Sequence, residues 1–200
     1  MKYPNLKIFL DKSVPEDDHI SVNKSHWCDV NQRRWIHAAD LYGFGEYLAP
    51  KLLFKPPYTL YRAETTCLAC RKKTPVLAVE ASGYVPTGGI GNDLALNIAY
   101  WLERGADELQ DKPVYLTYVK EYPPEFLKLI RMASFLYRKH TIGEDNEYYS
   151  NACMHCKTPI DDFQIFYDQD GTLARCNPSP ARLGSVMHYD LPIVCEAQFA

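Results

Sequence analysis

The sequence predicts an α+β chain: small β-sheets with a four-cysteine ribbon split by a helical insertion. Three observations carry that expectation. Two C-x-x-C pairs, Cys67/Cys70 and Cys153/Cys156, stand far apart in the chain. Each pair is flanked by β-branched or alternating stretches that read as strands. The 82 residues between Cys70 and Cys153 hold two stretches with helical apolar spacing.

Taken in order, residues 6–10, LKIFL, read as a short strand, and the polar, Pro-containing stretch after it as a loop. In residues 26–38, Trp27 and Trp35 flank a turn-rich segment holding Asp29 and Asn31. That pattern predicts a hairpin with the indoles packed nearby. A short helix is expected within 40–53, broken by Gly43, Gly45 and Pro50, and Lys55-Pro56-Pro57 reads as a linker. The chain then divides into an N-terminal α/β hairpin module, residues 1–54, and a ribbon domain, residues 58–200. The helical insertion in the second covers about 88–145.

Residues 58–67 alternate as a strand entering the first Cys pair, and residues 75–85 form a β-branched run leaving it. After the GGIGN loop, residues 88–92, Asn92 is a credible N-cap and Asp93 lies in the first turn. Leu94, Ile98, Trp101 and Leu102 share a face, and Gly105 is the expected stop. Residues 114–119 read as a strand. A second helix is expected after Pro123-Pro124, with Phe126, Ile130, Ala133 and Tyr137 along one stripe and Leu129, Met132 and Leu136 widening it. Arg138-Lys139-His140 in its last turn would suit the helix dipole. Residues 162–176 give a hairpin signal, with Phe163, Ile165 and Tyr167 alternating before an Asp170-Gly171 turn. A short apolar run at 191–195 closes the pattern.

Two hundred residues fit one domain, or one with a small appendage, and can bury a core without disulfides. The net charge of −3 is uneven: residues 1–100 carry 12 Lys and Arg against 10 Asp and Glu, whereas residues 101–200 carry 10 against 15. An acidic C-terminal half argues against a broad nucleic-acid footprint and suits a basic protein partner. The 15 Tyr fit the outer layer of a core, with some presented at interfaces. The N-terminus, MKYPNLKIFLDK, has no apolar signal-peptide region, and no run reaches membrane-span length. A soluble cytoplasmic protein with reduced thiols is expected.

Thiolates hold Zn²⁺ tetrahedrally, and each C-x-x-C can supply half a tetrahedron. One structural Zn²⁺ on Cys67, Cys70, Cys153 and Cys156 is therefore expected, with His155 or Cys176 as substitute ligands and Cys28 and Cys195 as core thiols. A redox pair would want C-x-x-C opening a helix after a strand, whereas Pro75 and a β-rich run follow the first pair. Four thiolates leave no open position for water, and neither a metalloprotease nor a deaminase motif is present, so the expected role is not enzymatic. GGIGN lacks the P-loop ending and the dinucleotide spacing, and reads as a loop before a capped helix.

Arg71, Lys72 and Lys73 beside the first pair, and Arg33 and Arg34 beside Trp35, are the candidate nucleic-acid contacts. A solvated face is the simpler reading of both. Asp161, Asp162, Asp168 and Asp170 read as a solvated loop and turn, or as a contact surface for a cationic partner.

The segment HWCDVNQRRW resembles a small bacterial module with a W-D-x-x-x-(K/R)-x-W hairpin, often fused to plasmid-borne primases; Cys28 here separates Trp27 from Asp29. CLACRKKTPVLAV and YYSNACMHCKTPIDDFQIF resemble the paired knuckles of uncharacterised bacterial zinc-ribbon proteins. The shared positions are Cys67, Cys70, Val76, Tyr148, Asn151, Cys153, Cys156, Asp162 and Phe163. The resemblance implies a bacterial cytoplasmic zinc-ribbon protein and brings no activity with it. The expected function is a non-enzymatic, zinc-stabilised binding protein working through protein–protein contact, most specifically an immunity protein or inhibitor that neutralises a toxin. The alternative is a nucleic-acid-binding accessory protein using the ribbon and Arg71-Lys72-Lys73.

Overall fold

A computed structural model describes residues 2–11, 14, 23–49, 51–89, 91–104, 113–142, 146–167, 173 and 183–199. Asp168, Asp170, Cys176, Gly105 and the Asp170-Gly171 turn lie outside the described residues. The architecture is α+β, with small antiparallel sheets and a few helices.

The first sheet has three strands, β1 (Lys7–Phe9), β2 (His26–Cys28) and β3 (Arg33–His37), in the order β1-β3-β2. The expected hairpin is β2–β3, with Trp27 opposite Arg34 and His26 opposite Trp35. Trp35 stacks on the His26 ring at 4.5 Å, while Trp27 is exposed. Where a short helix was expected, Ala38–Asp40 and Gly45–Tyr47 form single 3-10 turns, because Gly43 at φ +95 interrupts any continuous helix.

Two long strands dominate the second sheet: β4 (Leu52–Thr66) and β5 (Lys73–Pro86). They pair from Leu52 opposite Pro86 to Thr66 opposite Lys73, so the first Cys pair sits at the tip of the hairpin. Lys55-Pro56-Pro57 is no linker. It lies inside β4, at a register shift between Lys55 and Tyr58. Proline has no N–H to give the ladder, and the Ser82 hydroxyl donates to the carbonyls of Lys55 (3.2 Å) and Pro56 (2.7 Å) there. The sheet is completed by β6 (Val114–Thr117) on β5, β10 (Leu183–Met187) and β11 (Ile193–Cys195) on successive parts of β4, and β12 (Gln198–Phe199) on β6.

Helix α1 (Gly91–Arg104) buries Leu94, Ile98 and Leu102 as its apolar spacing predicts, and starts one residue before Asn92. It packs against the Gly45–Tyr47 turn. A Cβ on Gly45 would stand 2.2 Å from the Gly91 carbonyl oxygen, so only glycine fits that approach. The core under it joins Ile8, Ile36, Leu41 and Phe44 to Leu53, Leu94, Ile98 and Val194. This apolar cluster draws on both sides of residues 55–57.

Helix α2 (Pro124–Ala133) is shorter than its pattern suggests. Ser134 turns extended and its hydroxyl accepts the Leu136 N–H, so a local side-chain bond replaces the next helical turn. Arg138, Lys139 and His140 belong instead to β7 (Arg138–Ile142), which pairs with β8 (Asn146–Ala152). The periodic residues Phe126, Ile130 and Tyr137 are nonetheless all buried, in a core with Tyr58, Tyr122, Tyr149 and Ile193. The third sheet ends with β9 (Pro159–Ile160), paired to β8 across the second Cys pair. Beyond it, Phe163–Tyr167 is a π-helical turn and not a strand. The Asp161 carboxylate accepts the Phe163 N–H at 2.7 Å and starts that turn, which buries the consecutive Ile165 and Phe166.

Candidate metal centre

Cys67 and Cys70 occupy the turn between β4 and β5; Cys153 and Cys156 occupy the turn between β8 and β9. The two turns are built alike. Cys67 N–H donates to the Lys72 carbonyl (2.9 Å) and Arg71 N–H to the Cys67 carbonyl (2.8 Å). The second turn repeats this with Cys153 N–H to Thr158 (2.9 Å) and Lys157 N–H to Cys153 (3.0 Å). Arg71 and Lys157 both adopt the left-handed conformation, at φ +60 and +62. Each turn thereby presents two sulfurs on the same side of the chain.

The two turns face each other. Cys67 Sγ lies 3.7 Å from Cys156 Sγ and Cys70 Sγ 3.6 Å from Cys153 Sγ, and all four sulfurs lie within 4.8 Å of one another. A disulfide needs about 2.05 Å, so neither contact is one. Four thiolates about 2.3 Å from a shared ion form a tetrahedron with edges of about 3.8 Å, close to the 3.7 and 3.6 Å of the two contacts between the turns. The four cysteines therefore make a possible metal site, closed on itself. Its inner side abuts Val76, Ala78, Tyr115, Ile160 and Ile165, and Cys67 and Cys153 are buried while Cys156 is exposed.

Polar contacts outside the sulfurs hold the turns together. Met154 N–H donates to Thr74 Oγ1 (2.9 Å), Gln164 Nε2 to the Thr66 carbonyl (2.9 Å), and His155 Nε2 lies 3.0 Å from the Lys73 carbonyl. His155 thus spends its ring on the backbone of β5 and stands apart from the sulfur cluster. Asn151 both accepts from Leu77 N–H (2.8 Å) and donates to Leu77 O (2.9 Å), so its amide acts as one further rung between β8 and β5.

Two of the four thiols are pulled toward thiolate, Cys153 and Cys156. Cys153 is pulled down to about 6, first by the Cys156 backbone N–H and then by that of His155, which outweigh burial. Cys156 is also lowered, chiefly by Thr158. For Cys70 the Lys72 N–H acts downward, but burial and the neighbouring thiols win and push it up to about 11. Such a cluster holds its last proton tightly until a cation replaces it.

The basic candidates divide. Arg71, Lys72 and Lys73 are exposed at the first turn, with Lys73 paired to Glu64 at 3.0 Å. Arg33 is committed elsewhere, donating to Asp11 (3.1 Å) and Glu121 (3.4 Å), and Arg34 donates to Ser25 Oγ (2.9 Å). The two clusters sit on different sheets. Of the acidic candidates, Asp162 is not a surface group. It is buried, accepts the Tyr118 N–H at 2.7 Å, and burial pushes its carboxyl up to about 7. Cys28 and Cys195 are buried core thiols.

A second polar cluster escapes the sequence reading. Lys51 is wholly buried, with its ammonium 2.8 Å from Asp11 Oδ2 and 3.0 Å from Glu121 Oε1. Burial pushes its pKa down, but the Glu121 and Asp11 carboxylates outweigh that and raise it. The three segments are far apart in sequence and share no motif spacing, so no local signal marks them.

No family model matches the chain, and neither does any curated protein or solved structure. No described helix is long and apolar enough to cross a membrane.

Proposed function

We propose that Cys67, Cys70, Cys153 and Cys156 bind one structural Zn²⁺ and form a zinc ribbon split by the helical insertion, and that the chain is a binding protein acting by protein–protein contact. The observation that carries the metal assignment is the set of sulfur separations of 3.6–3.7 Å across two like-built turns. An all-thiolate donor set is soft and suits Zn²⁺. Such a shell carries two net negative charges once Zn²⁺ is bound, and Arg71, Lys72, Lys73 and Lys157 stand beside it to offset them. Reduced thiols at non-bonding distance suit a cytoplasmic setting.

The contact reading is supported by what the turns present. Leu68 and Met154 hold the same position in their respective turns and are exposed at 60% and 45%. A turn that binds metal on its inner side and shows an apolar side chain on its outer side is a rigid docking point. The specific form we put forward is an immunity protein or inhibitor that neutralises a toxin, supported by the acidic C-terminal half, which suits a basic partner. Pull-down of the neighbouring gene's product by the zinc-loaded chain tests it, with Leu68→Asp/Met154→Asp expected to abolish capture. The nucleic-acid reading rests on the exposure of Arg71 and Lys72. Gel-shift binding that falls steeply with salt and is lost in an Arg71/Lys72/Lys73→Ala variant would favour that reading instead.

A further inference from the structure

A cavity of about 300 Å³ opens beside β6 and β8, lined by Tyr118, Lys120, Tyr148, Asp161, Glu196 and the Ala197–Gln198 backbone region. Two features mark it. Tyr118 holds φ +50, a left-handed conformation that is costly for a bulky aromatic residue and recurs at ligand sites. The strain is held by both ends of the residue: its N–H donates to buried Asp162 (2.7 Å) and its hydroxyl to Asp161 Oδ1 (3.1 Å). The Tyr148 side chain is only 3% exposed, and its hydroxyl lies against the Asp161 carboxylate.

The charge in the cavity is settled by pairing. Lys120 forms an ion pair with Glu196, and its N–H donates to the Glu196 carbonyl (2.9 Å), so these two cancel. Asp161 is left as the net charge, using Oδ1 for the Tyr118 hydroxyl and the Phe163 N–H. Around it the Tyr118 and Tyr148 rings meet edge to face at 5.0 Å, and Tyr167 stacks on Tyr118 at 6.2 Å. A carboxylate walled by aromatic rings attracts a cation by its charge and by the ring faces together.

We propose that this cavity is a binding site for an organic cation, an ammonium or guanidinium group, held between the Asp161 carboxylate and the Tyr118 and Tyr148 rings. The assignment goes beyond the metal and docking reading and needs no partner protein to test. The same group could arrive on a basic side chain or on a free amine. Three probes separate these sources: N-acetyl-arginine amide and N-acetyl-lysine amide for a peptide-borne cation, methylammonium for a free one. N-acetyl-glutamine amide serves as the uncharged control.

The zinc-loaded protein is titrated with each probe while the ring resonances of Tyr118 and Tyr148 are followed by NMR. The expected result is saturable shifts with at least one cationic probe below about 10 mM. The glutamine control should give none. Asp161→Asn, which keeps an acceptor for the Phe163 N–H, should weaken the affinity about tenfold. Tyr148→Phe, which keeps the ring, should weaken it less. Absence of saturable shifts with all cationic probes overturns the proposal, as does equal binding of the glutamine control or unchanged affinity in correctly folded Asp161→Asn. A failed pull-down of a protein partner would not bear on this outcome.

Discussion

Two polar clusters join distant parts of this chain, and they do so by opposite means. In one, four thiols from two turns converge; in the other, buried Lys51 draws together Asp11 and Glu121, with Arg33 at the margin. The sulfur cluster is organised by local backbone geometry: each half is complete within six residues, and its N–H groups already face its own sulfur. The Lys51 cluster has no local half. Each member is a lone side chain whose charge is tolerable only because the others arrive. The difference teaches that a metal site can be prepared by short-range turns, whereas a buried ion network exists only in the finished fold.

Removing one ligand from each turn gives the largest effect. Metal binding supplies about 10–16 kcal/mol in small zinc modules, comparable with the about 5–15 kcal/mol stability of a whole domain. Cys67→Ser and Cys153→Ser should therefore both give unfolded or insoluble protein without bound zinc, read by elemental analysis and thermal melting. A soluble variant with wild-type melting temperature would break the comparison, because the sulfurs would then be no staple at all.

The Lys51 cluster should respond differently. Lys51→Met leaves Glu121 buried without its main counter-charge, at a cost of about 3–5 kcal/mol. Lys51→Met/Glu121→Met removes both charges and should recover most of that loss, since packed apolar groups replace a buried pair at little net cost. Urea unfolding with the metal in place measures both. No recovery in the double variant would mean that Arg33 and Asp11 depend on Glu121 as much as Lys51 does. No double substitution among the thiols should rescue the metal site in the same way.

The same contrast explains how much could be read in advance. Strand, cysteine turn and strand were legible because C-x-x-C spacing and β-branched runs are short-range signals, and they located all four sulfurs now found within 4.8 Å of one another. The α1 face was legible for the same reason, through Leu94, Ile98 and Leu102. What failed were features decided by one competing bond. Ser134 cut α2 short and released Arg138–Ile142 into a strand, and the Asp161 cap turned an alternating strand pattern into a π-helical turn. Lys55-Pro56-Pro57 looked like a linker because prolines break most strands, yet the Ser82 hydroxyl lets β4 continue through them. The Lys51 cluster and the cavity at Tyr118 were invisible, since neither has a sequence period.

Asp162 sharpens the comparison by being a buried carboxyl with no ion pair among the described residues. Its pKa is raised from 3.8 to about 7, by burial first and by Asp161 next, against the Tyr118 N–H. A carboxyl raised on folding stabilises the protein fully below its unfolded pKa, and that contribution is lost as pH rises through the folded value. At most about 4 kcal/mol is at stake between those limits. Asp162→Asn keeps the acceptor for Tyr118 and cannot ionise. Its stability relative to wild type should therefore increase from pH 5 to pH 8, whatever its constant offset. Parallel stability curves over that range would show that the carboxyl is already ionised in the folded protein.

The smallest effect tests whether the two cysteine turns are as alike in energy as in shape. Arg71 and Lys157 hold φ +60 and +62, a conformation that disfavours any residue with a Cβ by about 1–2 kcal/mol. Glycine removes that strain but adds unfolded-state freedom worth about 0.5–1 kcal/mol. Arg71→Gly and Lys157→Gly should each stabilise the metal-loaded protein by roughly 0.5–1 kcal/mol, seen as a rise of about 2–4 °C per kcal/mol in melting temperature. Arg71→Ala and Lys157→Ala keep the strain and lose the charge, so they separate backbone relief from the loss of a cation beside the thiolates. Equal gains at both positions would make the turns energetic twins. A larger gain at Lys157 would mean that β9, with two residues, leaves the second turn to hold its own shape, whereas β4 and β5 clamp the first.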